Sequence, residues 1–139
     1  TSNTPVVSAG LAPNDYWQTW LNDLQNLGSK KYSDIQGIHL YYDLASNNLE
    51  KINSVKAYGQ SVWITEIGRP SSTGNHSPEE QAIYLADNLD RLAPNVEKVF
   101  WYELKDAFGS VPPKENFFGL ITTEYTQKPS YDAFKSLLR

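Results

Sequence analysis

The sequence predicts an α/β fold made of four consecutive units, each with a short strand followed by a helix. Two observations support this fold class. Short apolar runs recur along the chain, and each is followed by a segment whose apolar residues return at helical spacing. The 139 residues are 40% apolar, so the chain lies within the size of one domain and can bury a core. We therefore expect a single domain over residues 1–139, with parallel strands and the helices outside them.

The first two units occupy the N-terminal half of the chain. Residues 5–11 form the first predicted strand. Asn14 is suited to cap the helix that follows, and Gly28 is suited to end it because glycine readily adopts left-handed backbone angles. The second unit combines a strand over 35–42 with a helix over 47–58.

The last two units follow the same order of strand and helix. The third strand is predicted over 61–67, and its helix begins at Ser77 with Pro78 in the first helical position. Glu80 stands three residues after Ser77, and this spacing predicts a capping box, in which each side chain binds the other residue's backbone N–H. The fourth unit combines a strand over 96–104 with a helix at the end of the chain.

The faces of the strands decide between two architectures. An open, doubly wound sheet has strands that are apolar on both faces, whereas strands of a (β/α)8 barrel carry polar residues inward near their carboxyl ends. One face of each later strand changes from apolar to polar toward that end, which favours an arc of a barrel. The residues assigned to the inward faces are Ile35, Gly37, His39 and Tyr41, then Val62, Ile64 and Glu66, and then Val99, Trp101 and Glu103. The residues assigned to the core beneath the helices are Trp17, Trp20 and Trp63.

Glu66 is the strongest candidate for a functional residue. It stands at the end of the apolar run 61–67 and is followed by a loop that begins at Gly68. Burial of an unpaired carboxylate costs several kcal/mol, so a strand that ends in Glu usually points this side chain into a polar cleft. Parallel α/β proteins keep their catalytic groups at the same carboxyl ends.

Composition excludes several other kinds of function. The net charge of −4 offers no basic surface for nucleic acid or anionic membranes, and no apolar run is long enough for a membrane helix. The chain has two histidines and no cysteine, which argues against a metal site. No glycine-rich phosphate loop follows a strand, so we expect no nucleotide cofactor.

Several short motifs resemble one family of enzymes. These motifs are His39-Leu40-Tyr41, Trp63-Ile64-Thr65-Glu66-Ile67-Gly68, Phe100-Trp101-Tyr102, Phe118-Gly119-Leu120 and Lys128-Pro129-Ser130-Tyr131. Together they resemble the C-terminal half of a retaining (β/α)8 glycoside hydrolase, from the fifth strand to the eighth helix. The clan includes cellulases, mannanases, β-xylosidases and β-galactosidases. The resemblance implies half of a TIM barrel, a carbohydrate substrate and an extracellular setting.

The resemblance also assigns roles to individual residues. Glu66 corresponds to the catalytic nucleophile. His39 and Tyr41 correspond to a pair on the sixth strand that orients the nucleophile or binds a sugar hydroxyl. Trp101 corresponds to an aromatic platform under the sugar. Retaining glycosidases combine such a nucleophile with a second carboxyl about 5 to 5.5 Å away, which protonates the leaving oxygen.

The chain departs from the family pattern at that second carboxyl. Family members carry it in an Asn-Glu pair on the fourth strand, and no Asn-Glu dipeptide occurs in this sequence. Glu103 could bind a substrate hydroxyl and, less readily, could act as the acid. We therefore expect the isolated chain to be inactive, and a carbohydrate-binding or scaffold fragment without activity is the alternative function.

Barrel closure raises a separate requirement. Four strands do not close a barrel of this kind, which needs about eight. The open edges and inward faces therefore require a partner, which is either a second copy of the chain or a missing N-terminal half. An open sheet that repacks as a monomer is the remaining alternative.

Overall fold

The computed structural model describes residues 4–72, 76–109 and 113–138. Its helices are α1 (Trp17–Asn26), α2 (Ala45–Lys56), α3 (Pro78–Leu92) and α4 (Pro129–Leu137). Its strands are β1 (Ile35–Tyr41), β2 (Ser61–Gly68) and β3 (Lys98–Trp101). Short 3-10 helices cover Ser29–Lys31, Ala93–Asn95 and Pro113–Phe117. No helix among the described residues is long and apolar enough to cross a membrane.

The sheet contains three parallel strands among the described residues, in the order β1-β2-β3. The additional strand predicted over 5–11 is reduced to two isolated parallel bridges, Val7 with Ile35 and Leu11 with Ile38. Small residues in the middle of this segment have low strand propensity, which explains the interrupted pairing. The sequence therefore predicts one regular strand more than the described residues form.

The predicted ends of two helices agree with the structure. Ser77 Oγ accepts a hydrogen bond from Glu80 N at 3.1 Å, and Glu80 Oε2 accepts one from Ser77 N at 2.7 Å, so the capping box is present. Gly28 follows α1 with a φ of 84°, as expected for a residue that ends a helix. Asn14 is not the cap of α1, because the helix begins at Trp17 and Tyr16 occupies the cap position; the Asn14 Oδ1 accepts a hydrogen bond from Tyr16 N at 3.1 Å.

The prediction that Trp63 of β2 belongs to the core is wrong. Val62 and Ile64 are fully buried, at 2% and 0% exposure, whereas Trp63 between them is partly exposed. Trp63 is therefore not the core residue that the sequence predicts. Its indole Nε1 donates to Glu97 at 3.0 Å, and its ring centroid lies 6.1 Å from that of Phe100. Strands that carry apolar residues on both faces give no alternation from which the buried face can be predicted.

Strand β3 is shorter than predicted and also differs in its faces. Phe100 is 48% exposed and packs on Trp63. Trp101 packs instead on Tyr84 of α3, with ring centroids 6.3 Å apart. Neighbouring residues of a strand point to opposite faces of the sheet. Trp101 therefore lies on the face that α3 covers, and Phe100 lies on the other face.

The chain divides into two compact units. The first comprises Thr1–Ile67 and Leu92–Phe100, and the second comprises Gly68–Arg91 and Trp101–Arg139. The fully buried side chains of the first unit include Leu21, Ile38, Leu40, Ile52 and Ile64. The fully buried side chains of the second include Phe118 and Leu85 together with the polar residues Gln81 and Ser130. The single domain that the sequence indicates over residues 1–139 stays a prediction.

Candidate active site

Glu66 carries the central group of the site in the first unit. Its Oε2 accepts a hydrogen bond from the hydroxyl of Tyr41 and lies 3.3 Å from Nδ1 of His39. The side chains of Glu66 and His39 are 37% and 25% exposed, so the carboxylate remains open to solvent. The arrangement brings together three residues that the sequence predicts as one group. The hydrogen bond from Tyr41 and the close approach of the imidazole fix the direction of the carboxylate.

His39 is held in place by the segment that precedes β1. Its backbone N donates to Leu11 O at 2.8 Å, and Leu11 N donates to Gly37 O at 3.0 Å. Gly10 lies directly against the imidazole, since a Cβ atom at this position would overlap the ring. Glycine at position 10 therefore provides the space in which His39 approaches the backbone and still reaches Glu66.

Tyr42 is an aromatic residue of the site that the sequence-based reasoning missed. It follows β1 with a φ of 65°, a left-handed conformation that non-glycine residues rarely adopt. Its ring centroid lies 6.1 Å from that of Tyr41, and the side chain is 42% exposed. The signal available in the sequence is an aromatic residue that directly follows a strand which ends in a polar site.

Trp101 and Glu103, predicted to bind substrate, belong to the second unit. Trp101 Nε1 donates to Phe118 O at 3.3 Å, and its ring packs on Tyr84. This position makes Trp101 part of the packing between α3 and the loop that follows β3. The sugar-platform role stays a prediction, and these contacts do not support it.

Glu103 has the features of a carboxyl that lacks its partner. Its backbone N donates to Phe118 O at 3.3 Å, and Leu120 N donates to its carbonyl at 3.1 Å. Its Oε1 is buried and has no hydrogen-bond partner among the described residues. Burial raises the pKa of the Glu103 carboxyl, and the neighbouring carboxylate of Asp106 raises this pKa further.

A buried ion pair lies in the same unit. Lys128 Nζ donates to Asp106 Oδ1 at 2.6 Å, and the two side chains are 6% and 7% exposed. Lys128 Nζ also donates to Ser71 Oγ at 3.0 Å, and Asp106 Oδ1 accepts from Gly119 N at 2.8 Å. Burial lowers the pKa of Lys128, and the hydrogen bond from Lys128 to Asp106 opposes this shift. The pair connects the loops after β2 and β3 with the start of α4.

A second buried network adjoins this pair. Gln81 Nε2 donates to the carbonyls of Arg69, Phe117 and Phe118 at 2.8, 3.2 and 3.2 Å. Its Oε1 accepts a hydrogen bond from Ser130 Oγ at 2.9 Å. The amide of Gln81 thus holds the same two loops by their backbones. The sequence carries a weak signal for these networks, the Lys128-Pro129-Ser130 motif, but it does not indicate the partners.

The described residues contain no cluster of three or more His, Cys, Asp or Glu side chains placed to hold a metal ion. The polar groups around Glu66 are a phenol and an imidazole. They suit hydrogen bonding to a carboxylate or a sugar hydroxyl.

Comparison with known proteins identifies the family of the chain. Residues 2–121 match the family described as glycosyl hydrolase catalytic core. The chain therefore belongs to this family. Its fold is that of part of a TIM-barrel glycoside hydrolase, because the similar solved structures are glycoside hydrolases of that kind.

Three similar proteins show how much of a whole enzyme this chain matches. A probable glucan endo-1,3-beta-glucosidase of Aspergillus terreus is 25% identical, over 94% of this chain and 30% of that protein. A family 39 glycoside hydrolase of Bacteroides cellulosilyticus is 25% identical with a TM-score of 0.62, over 81% of this chain and 28% of its own. A GH128 endo-beta-1,3-glucanase of Amycolatopsis mediterranei, in complex with laminaritriose, is 21% identical with a TM-score of 0.68, over 94% of this chain and 57% of its own. The chain thus spans less than two thirds of each of these relatives.

Proposed function

We propose that this chain supplies the nucleophile half of a retaining β-glycosidase site, with Glu66 as the nucleophile. The observation that carries the proposal is the placement of Tyr41 and His39 at one oxygen of Glu66, at the carboxyl end of β2. Tyr41 donates a hydrogen bond to this oxygen, and His39 Nδ1 lies 3.3 Å from it. Retaining hydrolysis needs a carboxylate that stays ionised, fixed in direction and open to the substrate. The contacts of Glu66 fit the requirement for a fixed direction, and its 37% exposure fits the requirement for access to the substrate.

The proposed reaction has two displacements. A carboxylate oxygen of Glu66 attacks the anomeric carbon, the bond from that carbon to the leaving oxygen breaks, and the leaving oxygen takes a proton from an acid. Water then attacks the same carbon, gives a proton to the base, and releases the sugar and the Glu66 carboxylate. Tyr41 and His39 hold the carboxylate in place before and after each step.

The proposed substrate is a β-linked glucan. The relative from Aspergillus terreus and the GH128 enzyme are named for β-1,3-glucans, and the chain is similar to both. A neutral polysaccharide also suits an open site that consists of one carboxylate, phenols and an imidazole. The extracellular setting implied by the family resemblance agrees with a polymeric substrate.

Glu103 is proposed to bind a substrate hydroxyl. Its side chain is partly exposed and its Oε1 has no partner among the described residues, so a hydroxyl bound at this carboxyl would supply a hydrogen bond that the chain does not. The raised pKa would also suit an acid, but this second role has less support because Glu103 is not in an Asn-Glu pair. Without a proton donor for the leaving oxygen, the isolated chain should cleave natural glucans very slowly.

The architecture proposed for the whole chain is one domain of four βα units, equivalent to the fifth strand through the eighth helix of a barrel. The bridged segment 5–11 would be the first of these strands. A second half-barrel, either another copy or an N-terminal half, would cover the exposed ring of Phe100 and the partly exposed ring of Trp63. Sedimentation velocity at micromolar concentration tests self-association, and a single monomer boundary would exclude a stable dimer.

Hydrolysis of 2,4-dinitrophenyl β-glucoside tests the role of Glu66, because this leaving group departs without a proton. We expect slow turnover by the wild-type chain and at least a thousandfold loss, on the order of 4 kcal/mol, in Glu66→Ala. Added azide should restore turnover in Glu66→Ala and should give the α-glucosyl azide. Equal turnover by Glu66→Ala and the wild-type chain would remove Glu66 from the nucleophile role.

The second candidate function is a carbohydrate-binding fragment without activity. The absence of an Asn-Glu pair from the sequence favours it. Glucan binding without turnover of the dinitrophenyl substrate, and without azide products in Glu66→Ala, would support this function over catalysis.

A further inference from the structure

An aromatic pocket lies beside the candidate active site in the first unit. It has a volume of about 350 Å³ and is lined by Asn14, Tyr16, Trp17 and Trp20 together with Gly10, Leu11 and Ala12. Ligand pockets in proteins commonly begin at about 300 Å³, so this pocket is large enough for a small ligand.

The aromatic rings that line this pocket are more exposed than the side chains of the hydrophobic core. Tyr16 is 78% exposed and Trp20 is 48% exposed, whereas Leu21 on the same helix is 1% exposed. The sequence predicts Trp17 and Trp20 as core residues, and for Trp20 the exposure shows that this prediction is wrong. The helix thus buries Leu21 and leaves large aromatic surfaces open around the pocket. Exposed aromatic groups that line a concavity are typical of binding sites.

The pocket adjoins the candidate nucleophile through two contacts. Gly10 forms part of its wall and lies against the imidazole of His39. His39 Nδ1 in turn lies 3.3 Å from Glu66 Oε2. A ligand in the pocket would therefore be separated from the carboxylate by little more than one side chain. This is the position that a neighbouring residue of a polymeric substrate would occupy.

The chemistry of the lining selects among ligands. Among the described residues that line the pocket, none carries a charge, which disfavours phosphates and other ions. A pyranose ring has an apolar face of C–H groups and a rim of hydroxyls. Indole and phenol rings match the face, and the Nε1–H of tryptophan, the Tyr16 hydroxyl and the Asn14 amide can hydrogen-bond to the rim. The Asn14 side chain is held in place because its Oδ1 accepts a hydrogen bond from Tyr16 N.

We propose that this pocket is a sugar-binding subsite, which holds one residue of a β-linked glucan next to the residue that reacts at Glu66. The choice of a glucan as the ligand rests on the proposed function. The proposed subsite adds Tyr16, Trp17, Trp20 and Asn14 to the residues that determine the affinity of the protein for the glucan.

Binding of laminaripentaose to the full chain tests this subsite, with Glu66→Gln as the background so that hydrolysis does not interfere. Titration calorimetry gives Kd, and the indole N–H signals in two-dimensional NMR locate the ligand. We expect shifts of the Trp17 and Trp20 signals. We expect Tyr16→Ala to raise Kd about threefold to tenfold and Tyr16→Phe, which keeps the ring, to raise it by less than about twofold.

Tyr32→Ala is the matched control. Tyr32 is also 78% exposed but does not line this pocket; it lies with Val6 and Leu27 in a neighbouring groove that shares Trp20 with the pocket. Its loss should leave Kd unchanged. Equal Kd values for Tyr16→Ala and its Glu66→Gln background would overturn the inference, and so would the absence of pentaose binding at millimolar concentration. Pentaose binding that depends on Tyr16, in a chain that never turns over an activated glucoside, would contradict the proposed catalytic function and leave the subsite supported.

Discussion

Two polar clusters of this protein contain similar groups in opposite settings. The Glu66 side chain is 37% exposed, and one of its oxygens accepts a hydrogen bond from Tyr41 and lies 3.3 Å from His39 Nδ1. Around Asp106 the carboxylate is 7% exposed and is bound by the ammonium of Lys128 and by the backbone N of Gly119. A carboxylate that is enclosed and charge-paired stabilises a structure, whereas one that is oriented but open is available for chemistry. The difference in exposure, more than residue type, separates the structural cluster from the candidate catalytic one.

The buried cluster should have the largest effect on stability. Lys128→Met leaves the carboxylate of Asp106 buried without its cation, so we expect a loss of about 3–5 kcal/mol in the free energy of unfolding. Urea denaturation measures this loss. Asp106→Asn in the same background should recover part of it, because a neutral amide then replaces the unpaired charge.

Arg91→Met is the control for the Lys128 variant. Its ion pair with Asp87 is exposed, with the two side chains at 62% and 44%, so its loss should cost less than about 1 kcal/mol. Similar losses for the Lys128 and Arg91 variants would show that burial does not distinguish the two kinds of ion pair.

The open cluster should affect reaction more than stability. Tyr41→Phe removes a hydrogen bond to the Glu66 carboxylate, so we expect turnover of an activated glucoside to fall roughly tenfold to a hundredfold. Thermal unfolding should change little. Tyr125→Phe, at a ring that is 72% exposed, is the control and should retain full turnover. A Tyr41 variant with normal turnover would show that this hydroxyl does not assist the carboxylate.

Ser130→Ala tests the neutral part of the buried cluster. The substitution leaves Gln81 Oε1 without its donor in a fully buried position, so we expect a loss of about 1–3 kcal/mol in the free energy of unfolding. Ser136→Ala on the same helix removes a hydrogen bond to Ala133 O in an exposed position and should be close to neutral. Equal effects of the two variants would contradict a structural role for the Gln81 network.

Glu103 should give the smallest effect, visible as a dependence of stability on pH. Its folded pKa is raised above the ordinary value of 4.5, so the folded chain keeps a proton that the unfolded chain has lost. The stability from this proton is complete below pH 4.5 and is lost as pH rises through the raised pKa. Urea titrations at several pH values should show this loss in the wild-type chain and not in Glu103→Gln. Parallel pH profiles for the two chains would contradict the shift.

The sequence was sufficient where a local rule determines the structure. The spacing of Ser77 and Glu80 predicts the capping box, and position at the ends of neighbouring parallel strands predicts that His39, Tyr41 and Glu66 meet. The sequence does not predict the burial of a side chain where that burial depends on which helices or loops cover the surface.

Two particular errors show that limit. Alternation assigns Trp63 to the core and Trp101 to the inward face, but apolar residues lie on both sides of these strands, so the pattern does not identify the covered side. The exposure of Trp20 depends on what lies next to α1, and helical spacing alone does not contain that information. The Gln81 and Lys128 networks join residues that are distant in the sequence, and one chain offers no pattern that connects them.

The most direct test of the central claim is covalent labelling of Glu66. Incubation with 2,4-dinitrophenyl 2-deoxy-2-fluoro-β-glucoside should add one fluoroglucosyl group to the chain, because the activated leaving group needs no acid and the fluorine slows release. Intact-mass and peptide mass spectrometry should locate the label on Glu66, absent from Glu66→Gln and retained in Glu103→Gln. A label that persists in Glu66→Gln, or a wild-type chain that takes no label, would contradict the assignment of Glu66 as the nucleophile.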